Sequence, residues 1–479
     1  ILTSLFQEHT YGLSSGGAPE HIPDLTYDQF KHFHETWYHP SNAYIYFYGD
    51  DDPEERLELM EGYLKSYQAL DIDSKIKPVQ PLEHPSRVEV AYDAGQDADA
   101  GKKAFYTMNW VLPDHSDPII LFSLEVLAHI LIGTPASPLR KALIDSGLGE
   151  DLTGLGLEEV EHRELLFSTG LKGINKVDAP QVEKLVRDTL ETLVKDGIDP
   201  KMIEAALNTL EFHLRENNTG DFPRGLAMMV RVMTTWLYGQ DPLTPIAFEQ
   251  PFKAIREKLA HEKRYFEALI QEHLLDNHFR SEVVLFPDGN LAKAREEDEK
   301  AQLSRIRLGL SDTEIQQLIE SSQVLKKRQE TPDTQEALAS LPVLKLEDLD
   351  KQIKRIPLIV ETGKGVKILR HELFTNGIVY FDLGFDLSVL PSDLLPMVSV
   401  FGRALLEMGT EKEDYVSLLQ RIGRNTGGIS SQPLCMSGYQ NGSSITRLFL
   451  RSKATLIQSG EMLAILSDLL LTTRLDDPE

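Results

Sequence analysis

The sequence predicts an α+β fold built from repeated units, on three observations. Strand-like and helix-like stretches alternate irregularly, and some neighbouring strands are too close together for the long crossover that parallel pairing requires. A block reading strand, proline, helix, Gly-Thr occurs at Ala104–Thr134 and again at Ile378–Thr410, 276 positions later. Between the two copies, Leu291–Pro332 reads as a pair of charge-dense helices, expected to be a solvated hairpin joining two larger bodies.

The first stretch leaves a Gly/Ser loop at Gly12–Gly17 for a helix from Thr26, where Thr26 and Gln29 have capping-box spacing; Phe30, Phe33 and Trp37 are expected to face inward. Ala43–Tyr48 is aromatic with a β-branched residue and predicts a strand. Asp52-Pro53-Glu54-Glu55 starts another helix, with an acid at the cap, proline at the first helical position and glutamates near the positive end of the dipole. The Asp50–Asp52 run lacks the alternating ligands and closing glutamate of a calcium loop. Strands are expected at Val88–Tyr92, Ala104–Leu112, Leu165–Gly173 and Val283–Phe286, and a buried helix at Asp117–Gly133. Amphipathic helices are expected at Ala179–Lys195 and Asp199–Arg215. In both copies of the repeat a second amphipathic helix carries an inner glycine, through Leu139, Leu143 and Gly147 and through Leu418, Leu419 and Gly423. A weaker echo pairs Ala43–Glu54 with Val283–Asp288 as strand and acidic exit. In the linking stretch, helix breaks at Gly309 and restarts at a Ser311/Glu314 capping box, with Ile315, Leu318, Ile319 and Leu325 on one face.

With 75 acidic and 49 basic residues the formal charge is −26. That field repels phosphate backbones, which argues against nucleic acid, and favours basic ligands. One cysteine, Cys435, excludes an internal disulfide framework or thiolate cluster and suits a reducing compartment. The longest apolar run, Ile119–Ile132, is shorter than the roughly 20 residues a bilayer needs, so no membrane association is expected. The chain opens at Ile1 without methionine and ends just after an apolar helical run, as expected of a segment from within a longer protein.

The 14 histidines contain neither His-Glu-x-x-His nor its inverse, the spacings that aim two imidazoles at one metal beside a water-polarising glutamate. His32, Glu35 and His39 come nearest, but Pro40 biases His39 away from helix. His371-Glu372 lacks a second histidine, Gly147-Leu-Gly149 follows a helix instead of a strand, and Cys435 has no histidine close in sequence. Taken alone, the residues form no complete catalytic constellation.

Longer motifs carry a family resemblance. Tyr11-Gly-x-x-Ser-Gly-Gly-x-Pro19, Tyr38-His-Pro-Ser-Asn-Ala43, Leu131-Ile-Gly-Thr-Pro-Ala-Ser-Pro-Leu-Arg140, Arg215-Glu-Asn-Asn-Thr-Gly-x-Phe-Pro-Arg-Gly225 and Leu406-Glu-Met-Gly-Thr410 resemble the presequence-protease branch of the pitrilysin and insulinase-like zinc peptidases. The resemblance covers essentially the whole chain. It implies a monomer of two halves, each of two related α+β units, closing on a chamber where unstructured, basic peptides such as cleaved targeting sequences are hydrolysed by a zinc-bound water. On that mapping residues 1–80 are the C-terminal part of a first unit and 86–288 a second unit. Residues 289–335 are the helical hairpin linker and 343–479 the N-terminal part of a third unit. The family's zinc ligands and its completing arginine and tyrosine have no counterpart in this sequence, so no catalytic or metal residue is assigned, and zinc is expected only in the full-length protein. The resemblance implies a peptide-binding strand at Leu152, Thr153, Gly154, Leu155 and Gly156, where glycine lets another backbone come close; a tight connector that needs glycine for its dihedrals is the competing reading. The resemblance leaves two compartments open, bacterial cytoplasm or organelle matrix, and one alternative role, a non-catalytic structural or partner subunit of the same fold.

Overall fold

The computed structural model describes the whole chain except residues 96–102, 155, 159–161, 350, 354, 438–443 and 477–479. Two compact units emerge: Ile1–Ala91 with Asp99–Pro287 and Thr375–Glu479, and a smaller one of Asp288–Phe374 with Tyr92–Ala98.

In the larger unit the chain enters through α1 (Leu2–Leu5), α2 (Tyr27–Trp37) and α3 (Pro53–Leu64). The Thr26 box forms in full, Gln29 N–H donating to Thr26 Oγ1 at 3.2 Å and Thr26 N–H to Gln29 Oε1 at 2.8 Å. Asp52 caps α3 by accepting from Glu54 N–H at 2.8 Å. Two expectations fail here. Residues 43–48 are extended but form no ladder, because aromatic and β-branched composition favours an extended chain while a strand also needs a neighbour; the echo of Val283–Asp288 goes with it. Phe30 and Phe33 stand 65% and 56% exposed, and only Trp37 of the three is half-buried, since no described element covers that face of α2.

The sheet follows. β1 (Ser86–Asp93) and β2 (Ala104–Asp114) lead into α4 (Pro118–Ile132) and α5 (Pro138–Asp145). Next come β3 (Asp151–Leu152), β4 (Gly156–Glu158), β5 (Glu164–Ile174), α6 (Ala179–Asp196) and α7 (Pro200–Glu216). α8 (Arg224–Trp236), α9 (Glu249–His261), α10 (Tyr265–Ile270) and β6 (Arg280–Asp288) complete the block. Strand order is β1-β6-β2-β5-β3, with β4 also on β5. The hydrophobic run becomes α4, whose Asp117 cap accepts from Ile119 and Ile120 N–H. Its buried Phe122, Leu124, Val126 and Ile130 meet Tyr106, Trp110 and Phe167 from the sheet in the main core. Trp110 Nε1 donates to the Leu274 carbonyl at 2.9 Å, so its one polar atom is satisfied inside that core.

The smaller unit holds α11 (Leu291–Gly309), α12 (Asp312–Glu330), α13 (Gln335–Ala339) and the hairpin β7 (Ile359–Gly363) with β8 (Val366–Arg370). The Ser311 box forms, but α11 and α12 bury no residue; Leu318, Ile319 and Leu325 are 55%, 46% and 56% exposed. Charge supports these helices locally, through Lys293–Glu297, Lys300–Glu296 and Lys326–Glu330 at one-turn spacing.

The larger unit resumes with β9 (Ile378–Asp386), α14 (Val398–Glu407), α15 (Tyr415–Asn425), β10 (Ile429–Ser437), β11 (Ser444–Thr455) and α16 (Ser459–Thr472). The order strand, helix, helix, edge strand, strand, helix repeats that of β2 to α6. The pairing repeats as well: β11 lies between β9 and β10 as β5 lies between β2 and β3, all antiparallel. The copies differ in one detail expected to match: Gly423 is inside α15, whereas Gly147 lies beyond the end of α5 at φ +63°.

Candidate functional site

At the outer edge of the larger sheet β3 and β4 lie on β5 one after the other. Leu152 pairs with Leu171, Thr153 N–H donates to the Gly170 carbonyl at 3.1 Å, and pairing resumes at Gly156 with Ser168. Residues 154 and 155 are therefore extra chain opposite Thr169, as in a bulge that interrupts an edge and re-aims its side chains. Gly154 and Gly156 take φ of +76° and +72°, left-handed values that glycine adopts without strain. Of the five residues expected to hold peptide, the break brings Leu152, Thr153, Gly154 and Gly156 together; Leu155 lies outside the described residues. Leu152 and Leu157 root the edge in the main core.

A cavity of about 270 Å³ opens at this break. Beside the edge residues it is walled by Ile132 from the end of α4, Arg140 from α5, and Ser168 and Thr169 from β5. Thr169 is 2% exposed, and its Oγ1 and that of Thr153 are buried without a hydrogen-bond partner. Asp151 at the rim accepts from the Leu152 amide at 2.8 Å and meets Lys172 at 3.3 Å. These contacts, with Arg140 nearby, hold its carboxyl below the usual range. Sequence reasoning misses Arg140, Ser168 and Thr169 as site residues, because nothing in their spacing marks them. They meet only when β5 pairs and α5 folds back beside it.

The described residues do not fit a catalytic zinc: no group of three or more His, Cys, Asp or Glu side chains is placed to hold an ion. His39 leaves α2 and accepts from Ser41 N–H, away from His32 and Glu35. α4 and α7 bring His129 and His213 close enough to feel one another, both held below the usual imidazole range mainly by burial, with no third ligand. No helix among the described residues is long and apolar enough to cross a membrane.

A second polar assembly joins the two repeats. Asn208 on α7 donates to the carbonyls of Gly423 and Thr426, at 2.7 and 3.2 Å. Glu216, its side chain 5% exposed, accepts from Lys453 Nζ at 2.5 Å and Tyr380 OH at 2.7 Å.

Residues 24–210 match the family model described as Peptidase M16 inactive domain, and residues 285–479 match the model of the associated region found in subfamily C of the M16 peptidases. Presequence protease 1, chloroplastic/mitochondrial, of Arabidopsis thaliana is 40% identical over 99% of this chain and 44% of its own length. Protein HypA of Clostridium perfringens is 34% identical over 100% and 49%, and the mitochondrial presequence protease of Danio rerio 29% identical over 100% and 46%. The chain thus spans just under half the length of these relatives.

Proposed function

Because the chain belongs to the presequence-protease branch of the M16 peptidases, we propose that it forms a peptide-holding part of a zinc metalloendopeptidase that degrades short unstructured peptides. Zinc and the hydrolytic groups are supplied by residues outside this sequence, and the 479-residue chain alone neither holds catalytic zinc nor cleaves peptide. The compartment of the whole enzyme is an organelle matrix or a bacterial cytoplasm, and its substrates are basic, as cleaved targeting peptides are.

The observation that carries the binding role is the β3–β4 edge: among the described residues its outer side has no strand partner, while its inner side is fixed to β5. An extended peptide adds there through main-chain hydrogen bonds, which read any sequence. Both glycines have left-handed dihedrals, so proline at either position would rebuild the turn instead of blocking an added strand. The block therefore belongs in the peptide. A fluorescent, unstructured Arg/Ser-rich peptide is compared by anisotropy with two analogues, N-methylated at odd or at even amides. One analogue is expected to bind about tenfold more weakly, from the loss of two or three net hydrogen bonds, and the other nearly as well as the parent. Equal affinity of all three would overturn strand addition. Chelator-sensitive cleavage by this chain, with near-stoichiometric zinc, would overturn the non-hydrolytic assignment.

A further inference from the structure

We propose that the cavity at the β3–β4 break is a carboxylate subsite, filled by one carboxylate of the bound peptide; this deepens, and rests on, the strand-addition reading. Three features of the break point to that chemistry. The first is size: about 270 Å³ is at or below the roughly 300–1,000 Å³ of small-molecule pockets and suits one polar group on a chain that stays outside.

The second is the pair of hydroxyls. Thr153 Oγ1 and Thr169 Oγ1 are buried and unpartnered, and both residues are on the cavity wall. Buried polar atoms are ordinarily hydrogen-bonded, so two orphaned hydroxyls around one hollow mark a place where a ligand atom completes the set. A hydroxyl gives its proton to an acceptor, and a carboxylate is acceptor-only, with two oxygens to receive both. The hydroxyls alone would equally take an amide or a water.

Charge decides between these. Arg140 and Asp151 are the charged residues on the wall. Asp151 already has the Leu152 amide and Lys172, whereas Arg140 forms no ion pair within 4 Å among the described residues. A carboxylate that accepts from the Thr hydroxyls thus also meets a guanidinium fork suited to two parallel bonds. The bulge supplies the route: opposite Thr169 the edge cannot continue its ladder, so the passing peptide turns a group inward there instead of a backbone amide. That group is the side chain of one Asp or Glu, or the peptide's own terminal carboxylate, which even an acid-poor targeting peptide carries.

The global field makes the test sharp. A chain of charge −26 disfavours every added acid on a ligand, so a position where an acid improves binding reports a local site. Glutamate and glutamine are scanned one position at a time along the Arg/Ser-rich peptide, with a free-acid or an amidated terminus. The probes are titrated against the chain and its Arg140→Met, Thr169→Val and Lys141→Met variants. At one position, or at the terminus alone, the acid is expected to bind about tenfold more tightly than its neutral counterpart. A position identifies a side chain and a terminal effect identifies the end of the peptide. The preference disappears in Arg140→Met, shrinks in Thr169→Val and survives in Lys141→Met. No carboxylate preference anywhere, or one unchanged in Arg140→Met, overturns the proposal. N-methyl analogues that bind as well as the parent, with an Arg140-dependent preference intact, would overturn strand addition and leave the subsite standing.

Discussion

Glu216 is the side chain on which the two repeats meet, and it is surrounded by groups that titrate. Lys453 and Tyr380 from the second repeat donate to it, and His213, one turn back on α7, faces Lys453 from the same side, with His129 of α4 behind. Burial is the main reason both histidines are held below their ordinary range; Lys453 adds to it at His213, Glu216 opposes it there, and His213 adds to it at His129. A depressed histidine is neutral in the folded chain while the unfolded chain takes up protons from about pH 6.5 downward. The stability these residues contribute is present above that pH and is lost as pH falls through it. The thermal midpoint should therefore drop between pH 7 and pH 5, and His213→Gln should flatten part of that slope without changing the midpoint at pH 8 by more than a few degrees. Tyr380 acts at the other end of the scale. Burial and then Glu216 push its phenol up to about 12, so its share is present below about pH 10 and lost as pH rises through 12. A midpoint that is level from pH 7 to 5, or a slope untouched by His213→Gln, would remove the histidines from this account.

At the scale of elements, what the sequence made legible was whatever is decided within a few residues. Asp117 at the cap of α4, the boxes at Thr26 and Ser311, and the break at Gly309 each depend on a side chain reaching a nearby amide, or on a residue that cannot hold helix, and each stands where its spacing put it. Residues 43–48, and the outward Phe30 and Phe33, were not legible, because composition records a preference for burial or extension and says nothing of whether a neighbour is there. The candidate site was half legible: Gly154 and Gly156 advertise an unusual backbone, but Arg140, Thr153 and Thr169 become a set only through the β5 ladder. Close approach was similarly hidden. A Cβ on Gly427 would lie 2.1 Å from Cε1 of Phe212, so the loop after α15 rests on α7 only because that side chain is missing. Gly427→Ala should thus cost about 1–3 kcal/mol by overpacking, read as a shift in the denaturant midpoint at constant m. Gly460→Ala, where a Cβ meets nothing within 4 Å on α16, should be neutral or slightly stabilising. Equal effects would mean that α7 and α15 do not pack as described.

For the whole molecule, two surfaces compete as the place where peptide first lands, and they respond to salt with opposite sign. One is the acidic field of 75 carboxylates against 49 cations, which draws in Arg-rich chains over a distance of about 10 Å at 0.1 M salt. The other is the aromatic face from Tyr27 to Tyr67, where Tyr27, Phe30, Phe33, Tyr38, Tyr48 and Tyr63 are all more than half exposed. Apolar attachment there would hold or strengthen as sulfate is added. If peptide is gathered by charge and then held along β3–β4 by backbone bonds, raising sodium chloride from about 0.05 to 0.5 M should weaken an Arg/Ser-rich peptide by tenfold or more, chiefly through its association rate. The N-methyl discrimination, which belongs to desolvated short-range bonds, should change little over the same range. Stopped-flow anisotropy separates the two, since it reads association and dissociation independently. A dissociation rate that carries the salt dependence, or an affinity that rises with sulfate, would move the landing site from the acidic field to the aromatic face.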